Sequence, residues 1–477
     1  MKKILVWFRR DLRLADNPAL YAAKQHQLIP IYIHAPEEEA PWQPGAASRW
    51  WLHHSLAALA AELKKLGSRL IIRKGDSAAA LLKLIEETGA STVYCNRLYD
   101  PATIKRDSAI KHILAEHDVE YKSFAASLLF EPWEVQTKTA TPYKVFTPFW
   151  NTCQKLGLPS DIQPGIRKLP SVSMQINSVA LDDLQLLPKI PWDKQFYQHW
   201  IPGEANAQKR LREFIKQNLT DYEHGRDYPA VSSTSRLSAC LHFGEISPRQ
   251  IVYAIEQAKH AGASSNVKKN AEGFLREVVW REFTHHILYH FPQTIKKPLN
   301  PHFENFPWAN KANKYLRAWQ RGQTGYPIID AGMQELWASG TMHNRVRMIV
   351  GSLLTKNMNS HWLQGAKWFW DTLVDADLAQ NTFNWQWIAG CGADAAPYFR
   401  IFNPITQSEK FDAHGEYIRR WLPALRHVPA KYIHSPWTMS TAEQQLYRVI
   451  IGKDYPAPII ELKTSREDAL LRYKKTR

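Results

Sequence analysis

Asp375–Pro404 reads DADLAQNTFNWQWIAGCGADAAPYFRIFNP, and the rest of the chain is organised around it. The carboxylates Asp375 and Asp377, the amide Asn381, the pair Trp385 and Trp387 and the basic Arg400 fall within a stretch too short to be a domain. Residues two apart on a helix point roughly 200° away from each other. Trp385 and Trp387 therefore face different ways, one towards the protein and one towards a cavity. Taken alone, the pair also reads as two core tryptophans.

Upstream, from Gly203 onward, helical patterns follow one another at Ala205–Gln217, Ser247–Lys259, Val267–His290, Asn313–Arg321, Ile328–Ala338, His343–Lys356 and Trp362–Leu373. Gly340 stands where a helix stops. Residues 201–477 are thus expected to form an all-α domain large enough to hold a cofactor in its interior. Residues 129–200 are punctuated by Pro132, Pro142, Pro148, Pro159, Pro164, Pro170, Pro188 and Pro191. They read as a connecting segment, too rich in Phe146, Phe149, Trp150 and Trp192 for a disordered linker. Residues 1–128 alternate β-rich runs (Ile4–Phe8, Leu28–Ile33, Arg69–Ile72, Thr92–Cys95 and Tyr121–Phe124) with helical patterns at Pro18–Lys24, Ser48–Leu66, Ser77–Glu87 and Ala102–Glu116, Ser48 being a candidate N-cap. Strands alternating with helices predict an α/β domain with a five-stranded parallel, Rossmann-like sheet. No GxGxxG follows the first strand, so the dinucleotide fingerprint is missing. The carboxyl ends of the strands still offer the usual crevice for a small ligand.

The 477 residues carry 61 Lys and Arg against 45 Asp and Glu, a net charge of +16 that favours a polyanionic partner such as nucleic acid. A generally basic protein without such a partner is the plain alternative. Cys95, Cys153, Cys240 and Cys391 lie far apart and form no CxxC, which argues against a zinc site and a disulfide scaffold. Cys95 falls in a different expected domain from the others, which argues against an iron–sulfur cluster. The apolar run Ile4–Phe8 is too short for a signal peptide, and no stretch approaches a membrane span of about 20 residues. The expectation is a cytoplasmic monomer with no membrane and no metal.

Three further stretches carry candidate chemistry. RDYPAVSSTSRLSACLHFGEISP (Arg226–Pro248) places serines and threonines before an apolar helical run, a capped helix whose N-terminus suits an anion. EVVWREFTHH (Glu277–His286) puts Glu277, Trp280, Arg281 and Thr284 on one helical face. A carboxylate beside an aromatic ring there suits a base edge, and a salt-bridged pair Glu277–Arg281 is the plain alternative. TGYPIIDAGMQELWASGTMHNRVRM (Thr324–Met348) completes the set.

Together with WFRRDLRLADNPAL near the N-terminus, these stretches resemble the DNA photolyase/cryptochrome family along the full chain. The resemblance implies an antenna-binding α/β domain and a helical domain binding FAD and UV-damaged DNA. It assigns FAD contacts to Tyr222, Thr234, Ser235, Leu237, Ser238, Arg281, Arg347, Asp375, Asp377 and Asn381, with Arg347 pairing with Asp375. It assigns contacts to damaged DNA to Arg226, Glu277, Trp280, Asn344, Arg345, Met348, Trp387 and Gln407. Trp385, Trp362 and Trp308 match a chain that passes electrons to the excited flavin, and Asn381 faces the flavin nitrogen that takes up a proton.

Enzymes repairing the (6–4) photoproduct carry histidines at the places of Asn344 and Met348, so the resemblance points to cyclobutane pyrimidine dimers. The implied activity is a deoxyribodipyrimidine photo-lyase driven by electron transfer from excited, reduced FAD. A cryptochrome-type blue-light receptor is the alternative; about 65 residues follow Asp412, short of the extension such receptors often carry. A basic DNA-binding protein with a degenerate flavin site is the third reading. Ala102 and Thr103 stand where the best-known folate-binding branch has Asn and Glu. GAASRWWLHHSL and NRLYDP look more like the class III branch, and the expected antenna is 5,10-methenyltetrahydrofolate in a differently built pocket.

Overall fold

A computed structural model describes residues 2–166, 168–172, 175–260, 264–309, 315–395 and 399–476. The chain divides into two compact units. One comprises Met1–Thr220, Ser235–Pro292 and Val374–Ala379; the other comprises Asp221–Thr234, Gln293–Leu373 and Gln380–Arg477.

In the first unit, β1 (Lys3–Phe8), β2 (Gln27–His34), β3 (Ile71–Lys74), β4 (Thr92–Asn96) and β5 (Glu120–Phe124) form one sheet in the order β3-β2-β1-β4-β5. All neighbours are parallel, with Ile4 opposite Leu28 and Thr92, and Thr92 opposite Glu120. Parallel strands need crossovers, and α1 (Pro18–Ala23), α2 (Ala46–Lys65), α3 (Ser77–Thr88) and α4 (Pro101–Glu116) supply them. Asn17 caps α1 through Leu20 N (3.1 Å), and Asp76 caps α3 through Ala79 N (2.8 Å). Leu5, Trp7, Ile29, Ile31, Ile71 and Val93 form the buried core of this sheet.

Within the sheet and its crossovers two local expectations fail. Ser48 is not a cap: α2 begins at Ala46 after Gly45, and Ser48 lies buried inside it. Glycine is tolerated at an N-cap, so no hydroxyl is required there. The third strand lies two residues later than its apolar run suggests, ending on Arg73 and Lys74. As an edge strand it tolerates those charges, and Arg73 pairs with Glu87 at 2.5 Å.

At the carboxyl ends of β1 and β4 the chain's own groups pair with one another. Arg9 bonds Asp107 and the Asn96 carbonyl, Arg10 pairs with Asp100, and Asn96 donates to Asp11 at 2.5 Å. The Pro-rich segment after β5 is held down at several points. Its α5 (Phe146–Leu156) buries Phe146 and Phe149. Val172 and Ile176 enter the core of the sheet, and Val179 N donates to Ile72 O at 3.0 Å.

The same unit holds helices Glu204–Gln217, Ser238–His242, Pro248–His260 and the long Ser265–His290. Gly244 (φ 65°) lets the chain pass Arg10, whose carbonyl would lie 2.3 Å from a Cβ at that position. The second unit is helical, with Pro327–Ser339, Asn344–Ser352, Trp362–Thr372, Pro404–Phe411 and Leu462–Thr476 as main elements, and most of Leu378–Ala389. Gly340 ends its helix in the left-handed conformation, as read. Asn313 lies outside the described residues, and the helix there spans Leu316–Gln320. The helix expected through Lys356 ends at Ser352 and continues as a π-helical turn, Leu353–Asn357. Buried Asp330 accepts from Thr324 N (2.7 Å), Gly325 N (2.9 Å) and Tyr455 OH (2.7 Å), tying the C-terminal region to the start of Pro327–Ser339.

Candidate functional site

In the first unit, Ser238 is the first residue of a five-residue helix, and its hydroxyl donates to Asp375 Oδ2 at 2.7 Å. Buried Leu237 occupies the cap position without a side-chain bond, so the Ser/Thr-capped helix read from the sequence does not form. The hydroxyl turns to a carboxylate instead of to the backbone. Ser235 is half-buried. Two residues after Asp375, buried Asp377 lies 3.4 Å from both His242 Nδ1 and His285 Nε2. Burial alone would raise its pKa; His285 and His242 outweigh that and hold the carboxyl well below its usual range. Neither histidine was legible as a site residue. His285 is further fixed by Nδ1 against Arg281 O at 3.0 Å.

On Ser265–His290, Glu277 and Trp280 are half-buried. Trp280 stacks on Phe146 of α5, with ring centroids 3.6 Å apart and planes 9° from parallel, and meets Phe283 edge-on at 5.8 Å. Buried Arg281 donates from Nη1 to Ser127 O at 2.8 Å and lies 3.4 Å from Glu282. Thr284 turns its hydroxyl back to Arg281 O. Glu282 receives Leu129 N at 2.7 Å, and burial pushes its carboxyl up. Glu282 and Phe146 are thus additions to the stripe read from the sequence.

In the second unit, Tyr222 is buried beneath the Arg226 guanidinium, 5.3 Å from its ring centre, and Thr234 is half-buried. Asn344 is exposed at the start of Asn344–Ser352, where His343 Nδ1 caps Arg345 N at 3.2 Å. Burial pushes His343 down to about 4, which leaves that nitrogen free to accept. Arg345 Nη2 lies 2.5 Å from Asp227 Oδ1, its guanidinium 4.4 Å over Phe411, and Nη1 4.0 Å from Met348 Sδ. Arg347 donates from Nε to Met342 O at 2.7 Å. Met348 and Gln407 are half-buried.

The two tryptophans of the pair differ in burial. Trp385 is buried edge-on against Phe369 (5.0 Å) and Trp319 (6.2 Å), whereas Trp387 is half-buried and donates Nε1 to Asp394 O at 3.0 Å. The Trp385 ring fits because residue 365 is glycine: a Cβ there would lie 2.1 Å from Trp385 Cη2. Buried Asn381 donates Nδ2 to Ala366 O at 2.9 Å. At the other end of that helix, buried Lys356 donates to Ala389 O at 2.8 Å, and burial pulls its amine well below the usual range. His361 lies between the two remaining tryptophans of the expected chain. It stacks on buried Trp362 at 5.6 Å and meets half-buried Trp308 at 5.4 Å.

A sequence family described as DNA photolyase matches residues 4–168, and one described as the FAD binding domain of DNA photolyase matches residues 274–475. The chain belongs to the DNA photolyase/cryptochrome family. This photolyase-family chain carries the family's FAD-binding domain, and its parallel sheet and helical region follow the family fold. It is 47% identical to the deoxyribodipyrimidine photo-lyase of Agrobacterium fabrum, over 98% of this chain and 97% of that one. It is 40% identical to cryptochrome-2 of Arabidopsis thaliana, over 98% of this chain and 78% of that one. Among solved structures it is similar to a bacterial class III photolyase from Agrobacterium tumefaciens, with 46% identity and a TM-score of 0.95, covering 100% of this chain and 98% of that one. Among the described residues no helix is long and apolar enough to cross a membrane, and no cluster of three or more His, Cys, Asp or Glu could hold a metal ion.

Proposed function

We propose that the chain is a deoxyribodipyrimidine photo-lyase that repairs cyclobutane pyrimidine dimers in DNA under blue light. The observation that carries this reading is the match to the Agrobacterium fabrum photo-lyase along 98% of the chain. The residues present fit FAD chemically. Hydroxyls on Thr234, Ser235 and Ser238 suit a pyrophosphate, and the Asn381 amide suits the polar edge of a flavin ring without adding charge there. Tyr222, Leu237, Arg281, Arg347, Asp375 and Asp377 complete the proposed contacts. Bound FAD, reduced and excited by light, supplies the electron that splits the cyclobutane ring.

The chain's own groups do the rest. Trp280 and Trp387 offer stacking surfaces to extruded pyrimidines, at about 1–3 kcal/mol per base, which helps offset the few kcal/mol of extrusion. Extrusion of the damaged bases is general to photolyases and is not read from this geometry. Phe146 backs Trp280 and limits its motion. Glu277 accepts from a base edge. Arg226, Asn344, Arg345, Met348 and Gln407 line the DNA side, and a net charge of +16 draws the polyanion in. Trp308, Trp362 and Trp385 pass electrons inward when the flavin must be reduced. The antenna is 5,10-methenyltetrahydrofolate in the class III manner, bound by the domain at residues 1–128, with 129–200 connecting it to the helical domain at 201–477. The protein acts as a cytoplasmic monomer.

The test uses photoreduced protein and an oligonucleotide carrying one thymine cyclobutane dimer. Thymine absorbance returns under blue light, not in the dark and not with a (6–4) oligonucleotide. A chain that holds photoreducible flavin yet restores no thymine is a photoreceptor of the cryptochrome kind.

A further inference from the structure

We propose that Asp227 is a positioning residue that sets how well the protein discriminates damaged from undamaged DNA, by holding Arg345 in one orientation. The inference rests on the reading of Arg345 as a DNA contact. Arg345 is fixed on three sides within its own unit. Asp227 Oδ1 takes Nη2 at 2.5 Å, the Phe411 ring lies 4.4 Å under the guanidinium, and Met348 Sδ is 4.0 Å from Nη1. Its backbone is fixed too, since Arg345 N donates to His343 Nδ1 at 3.2 Å at the start of the helix. Phe411 is in turn met edge-on by Tyr228, the neighbour of Asp227 in sequence.

This arrangement has two effects on a polyanion. The carboxylate offsets the guanidinium charge, so a passing phosphate gains less from Arg345 than from an unrestrained arginine. The remaining N–H groups stay aimed in one direction, so a DNA backbone deformed to fit them is favoured over a regular one. A chain of net charge +16 binds any duplex through phosphates. An acid inside the basic surface lowers that background more than it lowers binding of the correct target. Specificity gained by restraining a non-specific attraction follows the same logic as repulsive design elsewhere.

The experiment measures binding of the full, flavin-loaded chain in the dark to two fluorescent duplexes, identical except for one thymine dimer, from 50 to 200 mM salt. Asp227→Asn frees Arg345 to reach a phosphate. Undamaged DNA is then bound at least about threefold more tightly, and the slope of log affinity against log salt steepens by about 0.9, one extra phosphate contact. Affinity for the dimer duplex does not rise in step, and discrimination falls about threefold or more. Asp227→Glu keeps the charge and restores discrimination. Arg345→Lys keeps the cation without the planar fork and loses discrimination in the same way, which covers the case in which Asp227→Asn folds poorly. Parallel weakening on both duplexes with an unchanged slope overturns the proposal. Arg345→Gln separates the two failures. If it alters dimer binding while Asp227→Asn changes nothing, only the role of Asp227 falls; if it alters neither duplex, the DNA reading of Arg345 falls with it.

Discussion

Gly365→Ala tests the seat of Trp385, a proposed member of the electron relay. A methyl group at this position meets Trp385 at 2.1 Å (Cη2), 2.4 Å (Cζ3) and 2.6 Å (Cζ2). Carbon contacts of this kind do not fall below 3.0 Å, so the ring must retreat by at least 3.0 minus 2.1, about 0.9 Å. It has little room, with Phe369 at 5.0 Å and Trp319 at 6.2 Å packed edge-on against it. Overpacking of this sort costs about 1–3 kcal/mol. Alanine in place of glycine inside a helix returns about 1 kcal/mol, so the net loss is roughly 0–2 kcal/mol and the protein folds. The displacement, not the stability, is the readout. A retreat of this size lengthens the electron-transfer distance, and light-driven flavin reduction with excess thiol slows severalfold. The assay follows oxidised-flavin absorbance under steady blue light. Gly351→Ala, whose Cβ lies 3.5 Å from Trp385 Cζ3, is the mild control. A folded Gly365→Ala protein that photoreduces at the wild-type rate refutes either the seat or the role of Trp385 in the relay.

Trp387→Ala removes one of the two proposed stacking surfaces, at about 1–3 kcal/mol per base. Affinity for a dimer-bearing oligonucleotide drops about 5- to 150-fold in a fluorescence titration, with undamaged DNA little changed. Asp377→Asn takes the charge from between His242 and His285, and FAD affinity falls about tenfold or more, measured as flavin retained per chain on dilution. Glu245 lies buried, accepting from Trp51 Nε1 (2.9 Å) and Gly203 N (2.7 Å), and burial raises its carboxyl from 4.5 to about 7. Between those values the folded state binds the extra proton, so stability falls as pH rises from about 4.5 to 7 and is level above. Glu245→Gln abolishes that slope and raises stability at pH 8 by roughly 3 kcal/mol, at about 1.4 per pKa unit, measured by denaturant unfolding; an unchanged slope contradicts the assignment.

The parts of the fold carried by local pattern were legible. Strands β1, β2 and β4 announced themselves as short apolar, β-branched or aromatic runs, and Gly340 marked a helix end through its backbone freedom. The edge strand was misplaced because an edge accepts Arg73 and Lys74 without apolar character. In the candidate site, the motif residues stand together in the sequence, whereas the side chains packed against them do not. Asp377 is read from DADL, yet its partner His242 is 135 residues away. Arg345 stands in MHNRVRM, and Asp227 lies 118 residues upstream. Phe146 gave no sign of backing Trp280, because a stack between distant segments leaves no period in the sequence. The π-helical turn after Ser352 was equally silent, since a helix with one residue inserted keeps an apolar pattern close to the regular one.

The Pro-rich segment has a practical consequence. Phe146 anchors it on one side through the stack with Trp280, and Val172 and Ile176 anchor it on the other through the core of the sheet. Between them Leu156 and Ile162 are exposed. Opening the chain there leaves both new ends fastened by packing in the same unit. Two polypeptides, one ending near Gly157 and the other beginning near Leu158, would therefore find each other when expressed together. The split point offers a way to make assembly of a light-responsive protein depend on a second signal fused to the new ends.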